Sequence, residues 1–222
     1  RFYPLPVDEA RESIGLPNDH NRMILFVGRI EPLKGLDTLL RALAMLRETG
    51  VQCRIPHYLI VVGGDPDASG ENLTAEMARL RAMCKDLGLD DLVLFLGKRG
   101  QDTLPYYYSS ANILVMPSHY ESFGMVALEA MACGTPVVAS QVGGLAFLVI
   151  DGETGFVVPN GDPAALSERL TRLLSDDELR ERLGCQAADY DRQYSWENIV
   201  DRLIEVYERL LNPVNAVPTP GV

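Results

Sequence analysis

The stretch Gly28-Arg29-Ile30-Glu31-Pro32-Leu33-Lys34-Gly35 puts two cations on one turn, directly after an apolar run and directly before a segment of helical period. Unbonded N–H groups at a helix start favour anions, so Arg29 and Lys34 on such a turn outline a phosphate site. The stretch lacks the Gly-Lys-Ser/Thr order of a Walker A loop and is not GxGxxG. ATP hydrolysis and ordinary dinucleotide binding therefore lose their best support. A solvated turn with basic residues accounts for the same positions equally well, because Arg and Lys usually face water.

The second segment with chemical potential runs over 117–130 and carries Glu121 and Glu129. An apolar run ends at Met116, Glu121 stands in the following turn, Ser122 is placed to cap, and a helix is expected from about Gly124. Glu129 then lies more than a turn inside that helix, at about 1.5 Å of rise per residue. Ionised carboxylates only accept hydrogen bonds, so each suits a pair of vicinal hydroxyls, and a diphosphate can span the gap between them. Gly124 would let a ligand approach the backbone. From the residues alone the bland alternative is the stronger: Glu121 as a favourable charge at a helix start, Glu129 as a surface residue.

Several other residues attract notice and carry less. Asp65-Pro66-Asp67 matches the Asp-x-Asp pattern of some metal sites, but it is also an ordinary turn, and Asp189-Tyr190-Asp191 repeats it. No set of oxygen ligands is gathered for a hard cation, so no metal and no cofactor is expected. His119 has no charted partner, which favours a merely exposed or packed ring. Tyr106, Tyr107 and Tyr108 could form a stacking platform, yet a division between core and surface of one short helix explains them better. The four cysteines, Cys53, Cys84, Cys133 and Cys185, stand apart without CxxC, which argues for reduced thiols, and a cytoplasmic protein, over a disulfide framework or zinc site.

The elements that must position these residues follow from periodicity. Apolar runs at 23–28, 58–63, 92–97, 113–116, 137–140 and 155–158 alternate with helical segments at 36–46, 76–87, 124–132, 164–174, 178–194 and 196–211. Continuous apolar strands between amphipathic helices are the mark of a parallel sheet covered on both faces. The predicted fold class is α/β, a Rossmann-like doubly wound parallel sheet of about six strands. Ligands of such folds sit beyond the carboxyl ends of the strands, which points to the loops after Gly28, Gly63, Gly97, Met116, Ser140 and Val142. Residues 1–211 are expected to form one domain and 212–222, proline-rich and aperiodic, a disordered tail.

Composition narrows the partners. The 222 residues are 47% hydrophobic and 23% charged, within the globular range. Twenty Lys+Arg against 31 Asp+Glu give a net charge of −11, whose field repels polyanions, so nucleic acid is not an expected partner. No apolar run reaches the roughly 20 residues of a membrane helix. The N-terminus has neither an initiating Met nor a secretory pattern, and the chain is expected to start within a longer protein.

Taken in order, Gly-Arg-x-x-x-x-Lys-Gly at 28–35, the Glu-x7-Glu spacing of Glu121 and Glu129, and the stretch Glu-Ser-Phe-Gly-Met-Val-Ala-Leu-Glu-Ala-Met-Ala-Cys-Gly-Thr-Pro around them resemble the retaining glycosyltransferases of family four. Val142-Gly143-Gly144 and Asp151-Gly152-Glu153-Thr154-Gly155 continue the likeness, which runs from Arg1 to about Leu211 and is similar to both the sucrose-phosphate-synthase-like and the mycothiol-glycosyltransferase-like branches. The resemblance implies the second, donor-binding domain of a GT-B enzyme. Its substrate would be a nucleoside diphosphate sugar, such as a UDP-sugar, and its partner an N-terminal acceptor-binding domain.

On this resemblance Arg29 and Lys34 contact the donor diphosphate, Glu121 faces the sugar hydroxyls, and these three form the catalytic set. The N–H groups of Phe123, Gly124, Met125 and Val126 meet sugar or phosphate oxygens, Glu129 binds the ribose hydroxyls, and the main chain of Arg99 meets the base. It also implies that the last helix crosses back to the partner domain and that this half alone transfers almost nothing. A sugar-nucleotide epimerase half, or a non-catalytic nucleotide-responsive or scaffolding module, would use the same fold.

Overall fold

The structure is a computed structural model and describes residues 2–19, 21–50, 55–65 and 74–211. The expected tail at 212–222, Cys53 and Asp67 lie outside the described residues. Six strands, β1 (Arg22–Val27), β2 (His57–Val62), β3 (Val93–Gly97), β4 (Ile113–Met116), β5 (Val137–Ser140) and β6 (Gly155–Val158), form one sheet. All neighbours are parallel, in the order β3-β2-β1-β4-β5-β6. The chain winds outward from β1 to β3 and then returns to set β4 on the other side of β1. The strand order thus reverses between β1 and β4, and a crevice opens there beyond the carboxyl ends.

Strand side chains alternate between two cores, as the twofold period of a strand requires. Ile24 and Phe26 face one cluster, Met23 and Leu25 the other, and all four are buried. The helices among the described residues are α1 (Val7–Ser13), α2 (Leu36–Glu48), α3 (Ala75–Asp86), α4 (Leu104–Ser110), α5 (Met125–Ala132), α6 (Leu145–Leu148), α7 (Pro163–Ser175), α8 (Asp177–Asp191) and α9 (Trp196–Leu211). Helices α2, α3 and α7 supply the first core, for instance Leu39, Leu43, Leu80 and Leu170. Helices α4 and α5 supply the second, with Tyr107, Tyr108, Ala127 and Met131. The predicted apolar face of α2, Leu36, Leu39, Leu40, Leu43 and Leu46, is buried throughout.

Helix starts are fixed by side-chain oxygens that accept from otherwise unbonded N–H groups. Thr74 accepts from the Met77 N–H, Asp162 from those of Ala164 and Ala165, and Asp176 from that of Leu179.

Three local readings are corrected. The segment 178–194 is not one helix: α8 ends at Asp191, and a 3-10 turn over Arg192–Tyr194 leads through extended Ser195 into α9. Helices α1 and α6 have no counterpart in the sequence reading, because their 7 and 4 residues are too few to display a period. Ser122 does not cap α5; Gly124 occupies the N-cap and no side chain bonds there.

No described residue of α9 is buried, and Trp196, Leu203, Tyr207 and Leu211 present an apolar face to solvent. Among the described residues no helix is long and apolar enough to cross a membrane.

Candidate functional site

After β1 the chain makes a 3-10 turn over Pro32–Lys34 and reaches Gly35 at φ 64°. That left-handed conformation favours glycine. A Cβ at Gly35 would overlap the carbonyl oxygen of Pro117, in the loop after β4. The N–H of His119 donates to the carbonyl of Leu33 at 2.8 Å. The two loops are therefore laid directly against each other across the reversal point, and one consequence is an ion pair. The ammonium of Lys34 stands 2.6 Å from Oε2 of Glu121, with the two side chains 19% and 15% exposed.

Glu121 is held from its other side as well. Its carbonyl accepts from the N–H of Gly144 at 3.1 Å, and a Cβ at Gly143, φ 44°, would overlap that same carbonyl oxygen. The loop after β5 thus braces the loop after β4. Gly124, at φ 101°, starts α5, and the place of its missing Cβ faces Leu145 Cδ2 at 2.8 Å. The packing of Leu145 and Leu148 and the left-handed backbone by themselves account for a glycine here. With no side-chain cap, the first N–H groups of α5 remain available to an anion.

A crevice of about 220 Å³ lies where these loops meet, walled by Gly28, Arg29, Lys34, Ser118, Glu121 and Val126 among others. The structure thus brings Arg29, Lys34, Glu121 and Val126 together. Arg29 reaches it with a side chain 76% exposed, its guanidinium donating to Glu31 at 2.7 Å. Phe123 and Met125 are exposed, and the Phe123 ring meets that of Tyr194 edge-on at 6.3 Å.

Arg99 and Glu129 are outside the crevice wall and are each tethered to α4. Glu129 is partly buried rather than a free surface residue, and accepts from the hydroxyl of Tyr108 at 2.7 Å. The Arg99 Nε donates to the hydroxyl of Tyr107 at 3.0 Å. Burial, then the adjacent Glu129, pushes the Tyr108 hydroxyl pKa well up, so it stays a proton donor. Sequence reasoning missed three features: buried Ser118 in the wall, the bracing by Gly143 and Gly144, and the Tyr108 contact. The glycine pair after an apolar run was the available signal for the second.

The remaining candidates stand apart. His119 pairs through Nδ1 with Oδ1 of Asn160 at 2.7 Å. Among the described residues no three His, Cys, Asp and Glu side chains are grouped to hold a metal. Cys84 and Cys133 are buried thiols whose pKa values burial pushes up to about 11 and about 12, which keeps them protonated; Cys185 is exposed. A larger cavity of about 840 Å³ lies at the opposite, amino-terminal end of the sheet. Its arginines are engaged, Arg11 with Asp19 and both Arg22 and Arg180 with Asp177. Size favours that cavity; convergent loops at a reversal of strand order favour the smaller crevice.

Comparison with known proteins shows the family. The family model of glycosyl transferases group 1 matches residues 7–190. The chain is 45% identical over 209 residues, 94% of its length and 47% of the relative's, to D-inositol 3-phosphate glycosyltransferase of Thermomonospora curvata. Sucrose-phosphate synthase from Thermosynechococcus elongatus superposes with a TM-score of 0.79 and 40% identity, covering 96% of this chain and 50% of that one. Anabaena Alr3699/HepE, solved in complex with UDP and glucose, superposes with a TM-score of 0.77 and 26% identity over 93% of this chain and 53% of that one. The chain spans about half the length of the curated relatives it matches.

Proposed function

The chain belongs to the glycosyl transferases group 1 family, and on that premise we propose that it is the donor-binding half of a retaining enzyme that moves a hexosyl group from a nucleoside diphosphate sugar. The observation that carries this reading is the Lys34 to Glu121 pair, formed across two loops at the reversal of strand order and opening on the crevice. UDP is the favoured nucleotide because the HepE neighbour holds it.

The chemistry follows from the charges. Breaking the bond between sugar and diphosphate leaves negative charge on the departing phosphate. Lys34 has three N–H donors, so it can keep Glu121 and still meet a phosphate oxygen. Arg29, exposed on its turn, exchanges Glu31 for the second phosphate. Both cations act most strongly as charge develops, which is electrostatic stabilisation of the leaving group. The N–H groups of Phe123, Gly124, Met125 and Val126 add the positive end of α5 to the same oxygens.

Glu121, oriented by Lys34, accepts from the sugar hydroxyls; Glu129 accepts from those of the ribose; the main chain at Arg99 meets the base. The two carboxylates serve opposite ends of the donor, unlike a glycosidase pair flanking one bond about 5 Å apart. Attack from the face of departure then retains configuration. No metal enters this scheme.

The acceptor is assigned to an N-terminal domain outside this chain. The half-length match to the relatives supports that, and so does the bare apolar face of α9, which such a domain would cover. Calorimetry of the 222-residue chain with UDP, GDP and ADP tests the reading. Binding of at least one, strongest for UDP and weakened at least about tenfold by Lys34→Gln, is the expected result. No heat from any of them at millimolar concentration overturns it.

A further inference from the structure

Helix α4 carries the buried Tyr108, whose hydroxyl meets Glu129 at 2.7 Å. The ring is fully buried, and Phe2 packs edge-on against it with centroids 5.9 Å apart. Its own carbonyl accepts from the Thr135 hydroxyl at 2.6 Å. Ring and backbone are thus both fixed, and the hydroxyl has one place to point. A buried hydroxyl without a partner is costly, so the contact constrains Glu129 as firmly as Glu129 satisfies the tyrosine.

We propose that Tyr108 is a positioning residue for ribose recognition: it holds the Glu129 carboxylate in the orientation that accepts the two vicinal hydroxyls of the donor's nucleoside. The inference rests on the donor reading above. A carboxylate offers about four lone-pair sites, and the tyrosine hydroxyl takes one of them, on Oε2. An unrestrained glutamate spends side-chain entropy each time it is ordered against a ligand, whereas one held in advance does not. Phenylalanine would fill the same volume and lack only this function.

The test compares UDP with 2′,3′-dideoxy-UDP by calorimetry on the wild-type chain and on Tyr108→Phe. The wild type is expected to prefer UDP at least about tenfold, and Y108F to fall to about threefold or less by losing affinity for UDP while its affinity for the dideoxy nucleotide stays unchanged. A merely structural tyrosine would lower the melting temperature and weaken both ligands alike; an undiminished preference in folded Y108F overturns the proposal. Should Y108F not fold, Glu129→Asp is read instead. It keeps the charge but draws the carboxylate away from the hydroxyl, and a wild-type preference in E129D overturns the proposal. Failure of the underlying reading looks different. Wild type that binds no nucleotide removes the donor site, and wild type that binds both nucleotides equally removes ribose recognition alone; each takes the proposal with it.

Discussion

Lys34 and Glu121, 87 positions apart in the chain, meet at 2.6 Å because the turn after β1 and the loop after β4 share one backbone contact surface. The pair is mostly shielded from water, so removing one partner leaves the other charge poorly solvated. Lys34→Gln is expected to lower stability by about 1–2 kcal/mol, and the double change K34Q/E121Q to cost less than K34Q alone. Urea unfolding of K34Q, E121Q and the double variant measures this. A double variant as unstable as the sum of the singles would contradict the pairing.

The seating of that pair depends on Gly35. Alanine there faces both a left-handed backbone and the Pro117 carbonyl, so G35A is expected to cost more than about 2 kcal/mol and to weaken UDP binding. Gly15 has a similar φ of 69° with open space around it, and G15A is expected to cost less. Thermal melts of both separate the clash from backbone strain.

Asp191 is half-buried, and burial pushes its carboxyl pKa up to about 6 from an ordinary 3.8. A carboxyl with a raised folded-state pKa contributes stability that is present below the unfolded value and lost as pH rises through the folded one. Asp191→Asn is therefore expected to stabilise the chain at pH 7.5, by about 1 kcal/mol once partial exposure is allowed for, and to have little effect at pH 3.5. Melting curves across that range read the crossover.

Among the described residues, the apolar face of α9 belongs to neither core. Leu203→Gln and Tyr207→Ser are expected to shift stability by no more than about 0.5 kcal/mol. A loss above about 1.5 kcal/mol in a melt would show that the helix packs on this half.

Much of this was legible in the residues. Short apolar runs ended by a glycine, a proline or a polar residue set the strands, and 113–116, 137–140 and 155–158 match to the residue because each is short and abruptly terminated. Of the residues singled out, Arg29, Lys34 and Glu121 meet in the crevice wall, whereas Arg99 and Glu129 do not. The connections between side chains were not legible. That Lys34 finds Glu121 depends on which loops touch, and loop contact is set by backbone carbonyls such as that of Pro117, which carry no sequence signature; that Arg29 turns to Glu31 is a side-chain choice within one turn, and that Tyr108 finds Glu129 depends on how α4 packs beside α5. The breaks at Tyr194 and the caps at Gly124 likewise turn on φ and ψ, to which hydrophobic period is blind.

Titration of the ¹⁵N-labelled 222-residue chain with UDP, followed amide by amide, locates the nucleotide on the fold. The largest shifts are expected at Gly28, Arg29, Lys34 and Phe123 to Val126, with Arg99 and Glu129 following. Shifts gathered instead around Gly134 and Cys185, at the cavity under the opposite end of the sheet, or no shift at all, would contradict this placement.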